Sequence, residues 1–232
     1  MKRALVAAAA ITLGGCTFNI EPSGPQQHES QSVDLDKSEM VRVELKMGAG
    51  ELHVDGGATK LMDADFVYNR PSWKPVVKYT SSGFRGTLQI EQPSGSSTVS
   101  KVDYRWDIKL NDKVPMDVNA ELGAGQARMN LGSLDLRSVN VQMGVGEVRL
   151  DLRGKPTRDY TVKIEGGVGQ ATVMLPKDVG IVANAEGGIG NISVTGLDKR
   201  GGQWINAAHE NAPVTIHLDI QGGIGEIRLI AE

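Results

Sequence analysis

The chain has 232 residues, of which 40% are hydrophobic and 4% aromatic, and its 25 basic and 28 acidic side chains leave a net charge of −3. So balanced a charge argues against nucleic acid as a partner and against any broad basic patch for a membrane surface. The length suits one elongated domain or two small ones.

The amino terminus sets Lys2 and Arg3 before an apolar run from Ala4 to Leu13, then Gly14, Gly15 and Cys16. That run is about half the length of a membrane-spanning helix, so residues 1–15 read as an export signal rather than as part of the fold. Leu13-Gly-Gly-Cys16 resembles the bacterial lipoprotein cleavage motif, in which the cysteine is acylated and becomes the first residue. Cys16 is the only cysteine and stands where that motif requires it. The expectation is an extracytoplasmic lipoprotein held to a membrane through acyl chains on Cys16, since two or more chains hold durably where one is marginal. By analogy with lipoproteins of two-membrane bacteria, Thr17 in place of an aspartate points to the outer membrane. Residues 16–38 are polar, carry Pro22, Gly24 and Pro25, and show no period. They read as a flexible tether.

Seven of the ten aromatic side chains fall between Phe66 and Trp106. Alternating segments from Met40, Met62, Pro75, Phe84 and Tyr104, with Ser81-Ser-Gly83 as a hairpin turn and residues 94–100 as a Ser/Gly-rich loop, predict an antiparallel β unit over 39–112. It is expected to cap the first edge of a stack of repeats.

From about residue 113 the chain is built on a repeat, of which one earlier copy sits inside the amino-terminal unit. Six times it writes Gly, a small apolar residue, Gly and a polar residue, beginning at Gly48, Gly123, Gly144, Gly167, Gly188 and Gly223. Before each pair the apolar residues sit two apart, as in Val139, Val141, Met143 and Val145, the period of a strand with one buried face. After it they resume at Val148, Leu150 and Leu152. The phase slips by one, so the chain must bend or bulge at the second glycine. Each copy is a strand, a corner and another strand, and one copy cannot bury enough to stand alone. Stacking shares the backbone hydrogen bonds and the core between copies. The prediction is an all-β fold: a β-helix-like stack of parallel strands over 113–232, in chain order. Between the fifth and sixth copies the interval grows to 35 residues, an insertion around 196–213 that a final, otherwise uncovered rung could use as a cover.

Several stretches in this order, Glu44-Leu-Lys-Met-Gly-Ala-Gly-Glu-Leu52, Lys74-Pro-Val, Leu88-Gln-Ile-Glu-Gln92, Trp106-Asp-Ile-Lys-Leu110 with Val114-Pro115, and the serial Gly-x-Gly strands, resemble the toast-rack proteins and the LiaF-like carboxy-terminal domains of bacterial envelope-stress proteins. The resemblance covers nearly everything from residue 40 onward. It implies an extracytoplasmic, non-enzymatic β-stack with no catalytic, cofactor or metal residues to carry over. Some relatives are described as adhesins, and LiaF itself restrains a sensor kinase that responds to cell-wall damage. This chain departs from LiaF in having no transmembrane helices, which argues against direct kinase control; a regulator of a membrane sensor kinase stays an alternative reading.

Other chemistries fit less well. The Gly-Gly-x-Gly runs invite comparison with calcium-binding β-rolls, but Ala171, Ile192 and Ile227 stand where an aspartate is needed. No copy has the third glycine or the lysine of a phosphate loop. A polysaccharide-active enzyme needs two poised carboxylates, and Asp63 with Asp65, or Asp34 with Asp36, read better as solvated pairs. What remains is a binding surface. The polar positions after each corner form two columns, one of Glu51, Gln126, Glu147, Gln170, Asn191 and Glu226, the other of His53, Arg128, Arg149, Thr172, Ser193 and Arg228. Candidate contacts to cell-wall glycan or an envelope protein are therefore Arg128, Arg149 and Arg228, with Trp204 in the insertion as a ring for stacking on sugar.

Overall fold

A computed structural model describes residues 24–93 and 103–232. The export signal, Cys16 and the Ser/Gly-rich loop lie outside the described residues. Among the described residues thirteen strands occur in chain order: β1 (Gln27–Val33), β2 (Met40–Asp55), β3 (Met62–Tyr68), β4 (Val76–Ser82), β5 (Arg85–Glu91), β6 (Tyr104–Leu110), β7 (Met116–Asn130), β8 (Leu136–Asp151), β9 (Tyr160–Leu175), β10 (Gly180–Thr195), β11 (Asp198–Arg200), β12 (Gln203–Ile205) and β13 (Thr215–Ala231). Each Gly-x-Gly copy lies inside one long strand, with the second glycine at a φ of 132–150° in all six. That angle is closed to L side chains but open to glycine. The strand thus bends without ending, and its two arms fold toward a shared interior.

The repeats pair in parallel and in register. Gly125 lies beside Gly50, Gly146 beside Gly125, and Gly169 beside Gly146. The interior is lined by both arms of each rung: Val43, Leu45, Leu52 and Val54 on β2, then Val141, Val148 and Leu150 on β8, are all at most 2% exposed. Leu131 and Leu134, in the short return between β7 and β8, close the side opposite the corner.

The spatial order is β1-β3-β6-β2-β7-β8-β9-β13-β10-β12-β11, with β5 also on β2 and β4 on β5. Three features differ from the expectation. First, the stack starts at residue 40, because β2 is a parallel rung on β7. Antiparallel pairing is found around it, β1 with β3, β3 with β6 and β4 with β5. These strands form two wings, since β5 continues the first arm of β2 and β6 its second arm. Second, Gln27–Val33 of the expected tether is a strand. All its side chains but Val33 are polar, and it is held by β3 and by bonds such as Lys74 to Glu29 at 2.9 Å and Tyr68 to Glu29 at 3.1 Å. Third, the last copy does not end the stack. β13 slots between β9 and β10, leaving β10 at the margin.

The physical reason for the third difference lies in the side chains. β13 offers Ile216, Leu218, Ile220, Ile227 and Leu229 to the interior, all at most 5% exposed. At the matching places β10 has Ile181, Ala183, Ala185, Ile192 and Val194, smaller as a set. The interior position goes to the strand with more apolar surface to bury. The insertion supplies the length: β11 and β12 form a small hairpin, followed by a 3-10 turn at Ala207–Glu210. Asn206, 4% exposed, fastens this unit, accepting from the Ile181 N–H at 2.9 Å and donating to the carbonyls of Lys177 and Val179.

Candidate functional site

The outer face of the second arm carries the two polar columns. Register places Glu51 beside Gln126, then Glu147, Gln170, Glu226 and Asn191 in that order. The other column runs His53, Arg128, Arg149, Thr172, Arg228 and Ser193. Both extend one strand further than the repeats, since Arg105 lies beside Glu51 and Asp107 beside His53 on β6. Sequence reasoning missed this extension. The alternation of Arg105 and Asp107 was visible, but not that a strand outside the repeat would pair in phase with it.

The columns form a linked charge ladder. Arg105 donates to Asp107 at 2.9 Å, and Asp107 also takes the Nδ1–H of His53 at 2.8 Å. A carboxylate only accepts and a guanidinium only donates, so His53 keeps Nε2 as the acceptor for Arg128 Nη1 at 3.3 Å. Arg128 further donates to Gln126 Oε1 at 3.1 Å. Arg149 and Arg228 instead pair with the carboxylate two residues back, Arg149 with Glu147 at 2.6 Å and Arg228 with Glu226 at 2.7 Å. The hydrogen bond from Arg228 holds the Glu226 carboxyl below its usual range. Arg128 thus has neutral partners where its neighbours have anions. Arg128 and Arg149 are adjacent rungs, about 4.8 Å apart along the ladder, and Thr172 separates them from Arg228.

The glycines hold this face together. A Cβ on Gly146 would lie 1.9 Å from the Gly125 carbonyl oxygen, and one on Gly144 would lie 2.4 Å from that of Gly123. Two columns of glycine therefore let neighbouring backbones meet at the bend. Between them stand residues that the alternation placed on the buried face, and here the structure corrects it. Val145 is 53% exposed, Val168 46%, Ile224 51% and Ile189 71%. At the apex of the bend there is no opposite arm to cover them.

Trp204 is elsewhere. It lies on β12 beside Ala183 in the first arm, half-buried, with the Lys199 ammonium 5.4 Å from its ring centre. The fold brings Arg128, Arg149 and Arg228 into one column and does not bring Trp204 to it. Trp73, Tyr104 and Trp106 are core, at most 8% exposed and stacked edge to face. Burial pushes the Tyr104 phenol up, and its hydroxyl donates to the Trp73 carbonyl at 2.8 Å. Asp65 accepts from Ser30, and Asp34 pairs with Lys60 at 3.2 Å. Among the described residues no three His, Cys, Asp or Glu side chains gather as a metal site, and no helix is long and apolar enough to cross a membrane.

Two family models match the chain: the N-terminal domain of toast-rack over residues 22–174, and the C-terminal domain of LiaF, of the cell wall-active antibiotics response, over 124–229. A crystal structure of a candidate cell adhesion protein from Clostridium sporogenes is 34% identical, with a TM-score of 0.86, over 90% of this chain and 100% of that one. A candidate adhesin from Bacteroides fragilis aligns over 91% of this chain and 100% of its own at 13% identity, but its TM-score of 0.33 does not establish a shared fold. No curated protein matches the chain. The chain belongs to the toast-rack family.

Proposed function

We propose that this toast-rack protein is a non-enzymatic envelope lipoprotein, anchored through Cys16, whose outer ladder docks a repetitive anionic polymer of the cell wall in the response to envelope stress. The observation that carries this reading is the in-phase column of Arg128, Arg149 and Arg228 on a face of parallel strands. A linear glycan presents anions at intervals, and a stack presents cations at multiples of the strand spacing. Exposed ion pairs such as Arg149 with Glu147 are worth only about 0–1 kcal/mol, so an incoming anion can take the guanidinium at little cost. Arg128, already without a carboxylate partner among the ion pairs described, is the strongest contact. The match of residues 124–229 to the LiaF domain and the likeness to a candidate adhesion protein support an envelope setting.

The fold orients such an anchor. The chain enters the sheet at β1, with the Gly24 N–H donating to the Asn69 carbonyl at 2.8 Å, so the described fold begins eight positions after Cys16. β10 lies eight strands away in the sheet order, roughly 40 Å at the usual spacing. The ladder, from β6 to β10, covers six of those spacings, roughly 29 Å, on the side of the stack away from the proposed anchor. Two measurements test the reading. Palmitate labelling is expected to follow the protein and vanish in Cys16→Ser; label that persists removes the anchor. The triple variant R128A/R149A/R228A is expected to lose at least tenfold in co-sedimentation with purified cell walls, while Trp204→Ala keeps wild-type binding. Equal binding by all three proteins would remove the ladder as the site.

A further inference from the structure

The margin of the stack is open. β12 covers β10 only at Val182 and Ala183, and among the described residues nothing pairs with the outer edge of Asn184–Thr195. Such an edge is a template for another strand, and proteins ordinarily blunt it with charge or brevity. The β11 edge does so: three residues long, all exposed, and all charged as Asp198, Lys199 and Arg200. Asn184–Thr195 has twelve residues and one charge, Glu186. It also carries Ile189, 71% exposed and the most exposed large apolar side chain among the described residues.

The open segment is symmetric about its own bend. Its midpoint falls between Ile189 and Gly190, so the corner divides it into two arms of nearly equal length. A bent strand pairs in parallel with any copy of itself, but antiparallel pairing with a copy keeps the bend continuous only when the corner sits at the centre. The short hairpin of β11 and β12 produces that condition by covering the start of β10 and leaving the rest. In the antiparallel register centred there, Glu186 faces Ser193 of a second copy, and Ala185 faces Val194. No like charges meet, and the half-buried apolar side chains of the margin, Ile192 and Val194, gain an inner face to pack against. The exposed apolar column at the bend points the same way: it reads Ala49, Ala124, Val145, Val168, Ile224, Ile189 in spatial order, growing toward this edge.

We infer that Asn184–Thr195 pairs antiparallel with the same segment of a second copy, about a two-fold axis between Ile189 and Gly190, to make one continuous bent sheet. Such an isologous contact is closed and stops at two copies. The occupant is this chain rather than a foreign strand because the register, the charge pattern and the bend are all self-complementary.

The test uses the full-length protein in detergent, with light scattering for mass and oxidative cross-linking for register. Wild type is expected at twice the protomer mass. Ile189→Lys places a charge at the axis, close to its own copy, and is expected to halve that mass at an unchanged melting temperature. The double variant E186C/S193C, in which neither cysteine can reach the other within one chain, is expected to give a covalent dimer on oxidation that wild type, with Cys16 alone, does not give. A wild type that stays monomeric at high concentration overturns the inference. So does a dimer that survives Ile189→Lys and fails to cross-link through positions 186 and 193.

Discussion

Gly146 meets two separate constraints. Its φ of 142° excludes a side chain, and its Cβ position is filled by the Gly125 carbonyl oxygen. Gly144 meets only the second, and Gly201, with a φ of 56° and open space around it, only the first. Urea denaturation should therefore rank Gly146→Ala as the most damaging, at about 2–4 kcal/mol, with Gly201→Ala near 1 kcal/mol. Equal losses would show that close approach at the bend is unimportant. Acid acts on a different set of residues. The Ser38 backbone N–H holds Asp36 at about 2, against an ordinary 3.8, and the hydrogen bonds from Lys74 to Glu29 and from Arg228 to Glu226 depress those carboxyls too. Because the unfolded chain takes up these protons first, the stability they contribute is complete above about pH 4.5 and is lost as the pH falls toward 2. The urea midpoint should fall over that window and stay flat from pH 5 to 7; a midpoint indifferent to acid would remove these contacts from the account.

At the scale of elements, the insertion is a fastening rather than a spare loop. Asn206 spends three hydrogen bonds on the entry to β10 while 4% exposed. Asn206→Ala leaves the Ile181 N–H and two carbonyls without that partner, and should lower stability by about 1–3 kcal/mol. Hydrogen exchange should then speed at Ile181 and along β12 before it speeds in β7 or β8. Protection unchanged at Ile181 would mean that the hairpin docks without it. β1 shows why polar elements are hard to read in advance. Gln27-His-Glu-Ser-Gln-Ser-Val33 alternates in burial, but its inward positions before Val33 are polar, and Val33 alone packs against the core, so the alternation has no apolar signature. Its stability comes from partners 28–45 residues away, Lys60, Asp65, Tyr68 and Lys74.

For the whole molecule the decisive event is the entry of β13 between two strands made earlier. Without it, β10 would have no partner along its second arm, since β12 reaches only Val182 and Ala183. β10 and β13 should accordingly gain and lose protection as one unit. Deleting residues 215–232 should abolish slow exchange throughout 180–195 while β2, β7 and β8 keep theirs. A truncated chain in which β10 stays protected would mean that β10 can pair directly with β9. Such an exchange of partners is open to a stack whose rungs are alike, because each offers the same glycine columns and the same hydrogen-bond spacing.

Much of this architecture was legible in one dimension. The period-two apolar runs, the slip at the second glycine and the repeat interval were enough for parallel, in-register rungs with a bend, because side-chain parity and glycine's backbone freedom are local properties. The same parity placed Arg128, Arg149 and Arg228 in one outward column. It failed at Val145, Val168, Ile189 and Ile224, where exposure depends on whether an opposite arm exists. It could not order the last two rungs, since copies that look alike locally differ only in how much apolar surface each buries against its neighbours. Nor could it show that the first copy belongs to the stack, that Asp107 joins the ladder through His53, or that Asn184–Thr195 is left open with its bend at the centre. Those outcomes are pairings between residues far apart in the chain, settled by competition among alternative neighbours for one continuous core.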